Sequence, residues 1–414
     1  MENVIDLFKK RGLLEAITSD TLADHLKTPK KVYIGFDPTA ESLHLGSLVG
    51  IVVLKWFEKF GHIPVVVLGG GTGRIGDPSG KSQERTLLQE HIVKKNVAGI
   101  KAVFEKILEK PLFFDNYSWF EQFSAIDFLR DVGKYFRIGP MLAKESVKTR
   151  LNSKEGLSFT EFSYSLLQGY DFYKLFLDHG VTLQAGGSDQ WGNIVSGMEL
   201  IHKKMNKQVF GLTYPLLTKA DGTKYGKTES GTIWLSQELL SVYEFYQFFI
   251  RTPDHEVIKL LKFLTLLDLE EIDQLEKNMN KEPQKAQIKL AQEVTALVHG
   301  REKMEQAQAS SKTAFCQFDN VNEESLKKLE AQLPTHEVRL DHFLNQNVLD
   351  FLTNNKMSPS KSQLRRLMEN GGFYLNEKQT SDYKYLLSEK DLIGTYALFS
   401  FGKKKKILVK VIKN

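Results

Sequence analysis

The sequence predicts an α/β fold, in which a parallel-sheet domain is followed by a helical segment and a small basic module. Three observations carry that expectation. Short β-branched runs, Lys31-Val32-Tyr33-Ile34-Gly35-Phe36 and Ile63-Pro64-Val65-Val66-Val67-Leu68, flank a stretch with helical periodicity, and such alternation implies a parallel sheet. After Gly231 the β-branched runs fade, and Ser236 to about Ala309 has helical spacing. From Asn345 to Asn414 there are 13 Lys and Arg against 6 Asp and Glu, while the rest of the chain carries a net −2.

The elements follow in order. Between the two strands, Leu45, Leu48, Val49, Val52, Val53, Trp56, Phe57 and Phe60 recur at helical spacing, and Gly61 is placed to end that helix. Strand, helix and strand make a right-handed crossover. Glu282-Pro283 opens a later helix in which Ala286, Leu290, Val294, Leu297 and Val298 share a packed face, and Gly300 closes it. Phe318 to about His336 is polar and charged and reads as a linker. The expected boundaries are a sheet domain at 1–231 with a lysine loop at 219–231, a helical domain at 232–317, a linker at 318–338 and a basic domain at 339–414. The Lys403–Lys406 run precedes Ile407-Leu408-Val409, and fits either a strand edge or a phosphate contact.

At 414 residues the chain has room for two to four domains of roughly 100–200 residues each. With 41% hydrophobic and 26% charged residues, 11 Pro and 30 Gly, it falls outside the disordered, collagenous and low-complexity classes. Its single cysteine, Cys316, cannot form an internal disulfide or a Cys-based metal cluster. A reducing, cytoplasmic setting is expected. The N-terminal residues lack the pattern of a secretory signal, and no run of about 18 apolar residues suggests a membrane span. The basic tail fits either a nucleic-acid contact or a solubilising surface.

Gly71-Thr72-Gly73-Arg74-Ile75-Gly76 follows a strand and matches a dinucleotide fingerprint formally. The fingerprint needs a helix opening inside it and an acid about 20 residues on, and Asp77-Pro78-Ser79-Gly80 continues the loop instead. The nicotinamide reading therefore fails. Gly80-Lys81-Ser82 is one residue too close to Gly76 for a P-loop, although Lys81 and Arg85 still suit phosphate. A better site for a nucleotide lies between first strand and helix, in Asp37-Pro38-Thr39-Ala40-Glu41-Ser42-Leu43-His44-Leu45-Gly46-Ser47. Backbone N–H groups at a helix start favour phosphate, and a glycine there lets a flat base approach. His44 at that position is otherwise a helix cap or a surface residue. Far downstream, Lys219-Ala220-Asp221-Gly222-Thr223-Lys224-Tyr225-Gly226-Lys227-Thr228 sets two lysines three apart, mobile charges suited to a triphosphate.

Together these motifs resemble those of class I aminoacyl-tRNA synthetases. Phe36-Asp37-Pro38-Thr39 with His44-Leu45-Gly46-Ser47 looks like the HIGH motif, and Lys224-Tyr225-Gly226-Lys227-Thr228 resembles the KMSKS loop. Phe162 to Asp171 and Gln184 to Asn193 resemble the bacterial tyrosyl-tRNA synthetase family specifically, and Ser360 to Leu367 with Gly371 to Asn376 looks like the RNA-binding domain of ribosomal small-subunit protein four. The resemblance spans essentially the whole chain. It implies a Rossmann-like catalytic domain, a helical anticodon-arm domain and a small α+β RNA-binding domain.

The resemblance also implies site roles. Tyr33 and Asp171 would meet the substrate phenol, with Gln184 beside them, and Asp77, Tyr164 and Gln168 would hold its ammonium. Asp37, Thr39, His44, Gly46, Ser47, Gly187, Asp189 and Gln190 fall on the ATP and adenylate side. Lys81, Arg85, Lys224, Lys227 and Thr228 would face the phosphates, with His44 as a further catalytic contact. Implied partners are L-tyrosine, ATP with Mg²⁺, tRNA-Tyr and a second copy of the chain in a homodimer; no tightly bound cofactor, metal site or membrane is implied. Two departures stand out: Ser47 occupies a position where many relatives have histidine, and Tyr225-Gly226 replace the Met-Ser of the general loop. A tryptophanyl enzyme fits Tyr33 with Asp171 less well, because the pair suits a phenol better than an indole. An RNA-binding protein with a vestigial nucleotide site is disfavoured by the intact His44, Asp189, Lys224 and Lys227.

Overall fold

The computed structural model of the chain describes residues 3–79, 88–154, 156–218, 225–228, 231–315, 322–330, 333–358, 360–402 and 405–412. Its internal contacts divide it into two compact units, one of residues 1–241 and 248–300 and one of residues 242–247 and 301–414.

The first unit is built on six strands: β1 (Ala16–Ile17), β2 (Lys31–Phe36), β3 (Ile63–Leu68), β4 (Leu112–Asp115), β5 (Leu183–Gly187) and β6 (Phe210–Tyr214). They lie in the order β1-β6-β5-β2-β3-β4, with β6 to β4 parallel and β1 antiparallel to β6. Both strands expected from β-branched runs have the expected bounds. The chain runs outward from β2 through β3 to β4, then returns to the other side of β2 as β5. That reversal opens a crevice at the carboxyl ends of β2 and β5, where ligands bind in open parallel sheets. Register places Gln184 beside Tyr33.

The helix Leu45–Lys59 follows β2 and buries Leu45, Leu48, Val49, Val52, Val53, Trp56 and Phe57, the face expected from spacing. It ends two residues before Gly61, whose φ of 83° is the left-handed conformation glycine tolerates best. The long helix Phe159–His179 is capped by Ser158, which accepts the Glu161 N–H, and stops at Gly180 with φ 65°. Ahead of it, Arg150 and Glu161 form a buried bidentate pair at 2.8 and 2.7 Å.

The helices Asp254–Leu264, Leu269–Asn278 and Lys285–His299 fall in this first unit with the sheet, across the boundary expected at 231. Arg11 supplies one physical reason. Its buried guanidinium donates to the carbonyls of Lys262, Thr265 and Leu267, closing the end of the first of these helices, and lies over the Trp56 ring at 4.4 Å. A two-stranded hairpin, β7 (Lys227–Thr228) with β8 (Gly231–Thr232), completes the unit's strands among the described residues.

In the second unit β9 (Thr335–Arg339), β10 (Phe373–Leu375), β11 (Lys378–Gln379), β12 (Tyr396–Phe401) and β13 (Lys405–Ile412) lie in the order β11-β10-β12-β13-β9. Short helices cover a core that includes Phe343, Phe351, Leu352, Met368, Phe373, Phe399 and Val409. Part of the span expected as a linker at 318–338 carries regular structure. Glu323–Glu330 is a helix with Leu326 and Leu329 fully buried against Leu398 and Leu408, and Thr335–Arg339 is a parallel edge strand on β13. Leucines three apart among charged residues make one narrow apolar stripe, easily taken for linker polarity. Lys405 and Lys406 begin β13, and the Lys406 ammonium pairs with Glu377 at 2.6 Å. Among the described residues no helix is long and apolar enough to cross a membrane.

Candidate active site

At the floor of the crevice, the Tyr33 hydroxyl accepts a hydrogen bond from Gln184 Nε2 at 2.9 Å. Both side chains are 1% exposed, and Gln184 Oε1 has no hydrogen-bond partner among the described residues. An unpartnered buried carbonyl next to a phenol is a polar demand that a ligand donor can meet. Burial, reinforced by the Asp171 carboxylate, pushes the Tyr33 hydroxyl well above its usual pKa. It stays protonated and available to donate.

Asp171, on the helix Phe159–His179, accepts Trp119 Nε1 at 2.9 Å on one oxygen and Asn116 Nδ2 at 3.0 Å on the other. Desolvation pushes its pKa up to about 7, against the lowering effect of those two bonds, and the nearby Asp37 and Asp115 raise it further. Asn116 extends the network. Its Nδ2 also reaches Thr72 Oγ1 at 2.9 Å, its Oδ1 accepts the Gly71 N–H at 2.7 Å, and Thr72 donates to Asp37 Oδ1 at 2.8 Å. Tyr164 donates to the other Asp37 oxygen at 2.9 Å. Burial, then Asp37 and Asp77, holds the Tyr164 hydroxyl far above its usual pKa.

A second network surrounds Asp77. Its Oδ1 accepts the Ser79 N–H at 2.9 Å and its Oδ2 accepts Gln190 Nε2 at 2.7 Å. Asn193 Nδ2 donates to Gln168 Oε1 at 3.0 Å and reaches Gln190 Oε1 at 3.5 Å, while Asn193 Oδ1 accepts from the Lys144 ammonium at 3.3 Å. Asp77, Lys144, Ser165 and Asn193 are among the residues lining a small cavity beside it.

The mouth of the crevice is formed by the start of the helix Leu45–Lys59. His44 is its N-cap, with Nδ1 accepting the Gly46 N–H at 3.0 Å, the helix-cap alternative for this residue. A side chain at Gly46 would press on that imidazole. Thr39 is exposed on the preceding loop, Ser47 lies in the first helical turn, and Gly187 with Asp189 and Gln190 turns out of β5. Residues 43–45 pair in turn with 233–235: Leu45 N–H donates to Ile233 O, and Leu235 N–H to Leu43 O, both at 2.9 Å. Lys81, Arg85 and Lys224 lie outside the described residues, as do the side chains of Lys227 and Thr228, whose backbone forms β7.

The structure thus brings Tyr33, Asp171 and Gln184 together at one end, Asp77, Gln168 and Gln190 at another, and Asp37 and Tyr164 between them. Comparisons with known proteins give the family of the chain. Residues 25–316 match the family model of class I tRNA synthetases (W and Y), and residues 325–409 match that of the tyrosine–tRNA ligase SYY-like C-terminal domain. The tyrosine–tRNA ligase of Protochlamydia amoebophila is 48% identical over 423 residues, with all of both chains covered. The chain belongs to the tyrosyl-tRNA synthetase family. The chloroplastic/mitochondrial tyrosine–tRNA ligase of Arabidopsis thaliana is 45% identical, covering 99% of this chain and 84% of that one. A C-terminally truncated mitochondrial tyrosyl-tRNA synthetase of Aspergillus nidulans superposes with a TM-score of 0.68 at 31% identity, over 75% of this chain and 94% of that one.

Within this tyrosyl-tRNA synthetase framework, sequence reasoning missed Thr72, Asn116, Trp119, Lys144 and Asn193. Asn116 stands immediately beyond the carboxyl end of β4, where a parallel sheet presents its functional side chains, so strand-end position was the available signal. Asn193 closes the quoted Gln184–Asn193 motif. Lys144 offered no signal in the sequence.

Proposed function

We propose that the chain activates L-tyrosine with ATP and transfers the tyrosyl group to the 3′-terminal adenosine of tRNA-Tyr. A carboxylate oxygen of tyrosine attacks the α-phosphorus, the bond from that phosphorus to the α,β-bridging oxygen breaks, and pyrophosphate leaves. A terminal ribose hydroxyl then attacks the adenylate carbonyl, forming the ester and releasing AMP. Mg²⁺ enters with ATP as part of the substrate. The attacking carboxylate is already ionised at neutral pH, so no protein nucleophile is needed and catalysis rests on positioning and charge stabilisation.

One observation supports this reading most strongly: Tyr33, Gln184 and Asp171 converge, buried, with an unpartnered amide carbonyl and a carboxylate of raised pKa. A phenol is both donor and acceptor, and this set offers both. In the proposed assignment Asp77, Tyr164 and Gln168 take the ammonium. Asp37, Thr39, His44, Gly46, Ser47, Gly187, Asp189 and Gln190 take the nucleotide, and Lys81, Arg85, Lys224, Lys227 and Thr228 the phosphates. The proposed domains are a catalytic domain, a helical region meeting the anticodon arm and a basic RNA-binding module, and the proposed compartment is the cytoplasm.

A homodimer is part of the proposal. Ile126, Leu129, Ile138 and Phe159 are exposed on three helices between residues 125 and 160, with Ile126 at 72% and Phe159 at 74%. Apolar side chains so exposed and so close in the chain mark a contact surface. The enzymatic proposal is tested by incubating the protein with ATP, radiolabelled tyrosine and tRNA. Acid-precipitable label matched by AMP release is expected, and label appearing equally with phenylalanine contradicts it.

A further inference from the structure

Lys144 precedes the helix Glu145–Leu151, and its aliphatic stem lies along Gly192, where an added Cβ would meet Lys144 Cδ at 3.3 Å. A glycine at the second position of the helix Trp191–Met205 therefore leaves room for a lysine to reach inward. The ammonium ends 3.3 Å from Asn193 Oδ1. Burial pulls its pKa down to about 8, partly opposed by the carboxylates of Asp77 and Glu199.

The chemistry of that contact has a direction. An ammonium donates and never accepts, so Asn193 must present Oδ1 to it and Nδ2 to the opposite side. Nδ2 then donates to Gln168 Oε1 and reaches Gln190 Oε1, which leaves Gln190 Nε2 to donate to Asp77 Oδ2. The cation thereby selects the orientation of Asn193 and through it that of Gln168, while the Asp77 carboxylate, which only accepts, holds Gln190 in the matching sense. Reversing Asn193 would set its carbonyl against that of Gln168, turn Gln168 over with it, and put N–H groups where acceptors stood.

We infer that Lys144 is a positioning residue for amino-acid recognition, fixing the donor and acceptor sense of the Asn193–Gln168 relay that faces the substrate ammonium. The inference rests on the proposed placement of that ammonium beside Asp77 and Gln168. It reaches beyond it, because Lys144 itself carries the wrong charge to bind an ammonium and acts through Asn193.

The test is tyrosine-dependent pyrophosphate exchange by the full chain, comparing the parent with Lys144→Met, Asn193→Asp and the double variant. Asn193→Asp keeps an acceptor for Lys144 but cannot donate to Gln168. Each single variant is expected to raise the KM for tyrosine about tenfold or more, the scale of a lost charge-assisted contact, with kcat and the KM for ATP changed less than about threefold. The double variant is expected to be no worse than the worse single one, since both break one relay. An unchanged tyrosine KM in either variant, or KM effects that multiply, overturns the inference. If Lys144→Met fails to fold, as judged by thermal unfolding, Asn193→Asp alone decides by the same KM criterion. A parent that exchanges with tyrosine while the variants behave like it sinks the relay and leaves the proposed function standing; a parent that does not exchange overturns both.

Discussion

The backbone N–H of Leu45 donates to the carbonyl of Ile233 at 2.9 Å, and the N–H of Ile233 donates in turn to the carbonyl of Gly226 at 2.9 Å. One residue thus joins the start of the helix that carries His44 to the loop that carries Lys227. The two motifs are nearly two hundred residues apart in sequence and share a backbone tether in the fold. Gly226, at φ 88°, also packs against Leu45, where a side chain would press on its Cβ.

Ile233→Pro removes the donor of that tether without touching the buried Tyr33 and Asp171 pocket. Stopped-flow measurement of adenylate formation is expected to show a rate at least about tenfold lower with tyrosine affinity changed less than about threefold, the signature of a transition-state contact. Lys227→Ala is expected to give the same signature. Equal losses in rate and affinity would assign both residues to ground-state binding.

Asp171 gives the protein a particular pH dependence. Its folded pKa, about 7, lies above the unfolded carboxylate value, so the folded state holds the extra proton between those two values. Stability from this group is complete below the unfolded pKa and is lost as pH rises through about 7. Between pH 5 and 6.5 the parent should lose about 1.4 kcal/mol per pH unit relative to Asp171→Asn. Denaturant titrations at several pH values measure that difference in slope, which is independent of the constant cost of the lost hydrogen bonds. Parallel slopes would show that Asp171 is ionised throughout.

The exposed apolar side chains between residues 125 and 160 predict self-association. Sedimentation at micromolar concentration is expected to give a dimer for the parent and a monomer for Ile126→Lys combined with Phe159→Lys, with far-ultraviolet circular dichroism unchanged. A dimer that survives both charges would place the interface elsewhere.

In the second unit, Arg366 and Lys378 are exposed on the basic module. Replacing both by alanine is expected to raise the KM for tRNA and to lower its salt dependence by about one phosphate contact per residue, leaving pyrophosphate exchange unaltered. A charge change that slowed exchange would point to a folding defect.

Much of this was legible because local and global preferences agree. β2 and β3 are runs of β-branched residues buried on both faces, so periodicity, propensity and topology coincide. His44 and Gly46 were legible as helix-start chemistry, and the cap bond between them is the local form of it. What escaped was set by tertiary contact. Asn116 meets Asp171 across 55 residues of sequence and Lys144 meets Asn193 across 49, and neither pair leaves a periodic trace. The helix Glu323–Glu330 was hidden by composition, its two buried leucines being outnumbered by Glu and Lys. The grouping of residues 254–299 with the sheet depends in part on Arg11, a basic residue whose burial no local pattern announces.

The proposed function requires recognition of a phenol by Tyr33, Gln184 and Asp171, and in this family a site built for the hydroxyl rejects phenylalanine. The most direct measurement is ATP–pyrophosphate exchange without tRNA, with tyrosine, phenylalanine and tryptophan compared at equal concentration. Exchange with tyrosine and not with the other two is the predicted result. Exchange supported by tryptophan, or by none of the three in folded protein supplied with Mg²⁺, would contradict it.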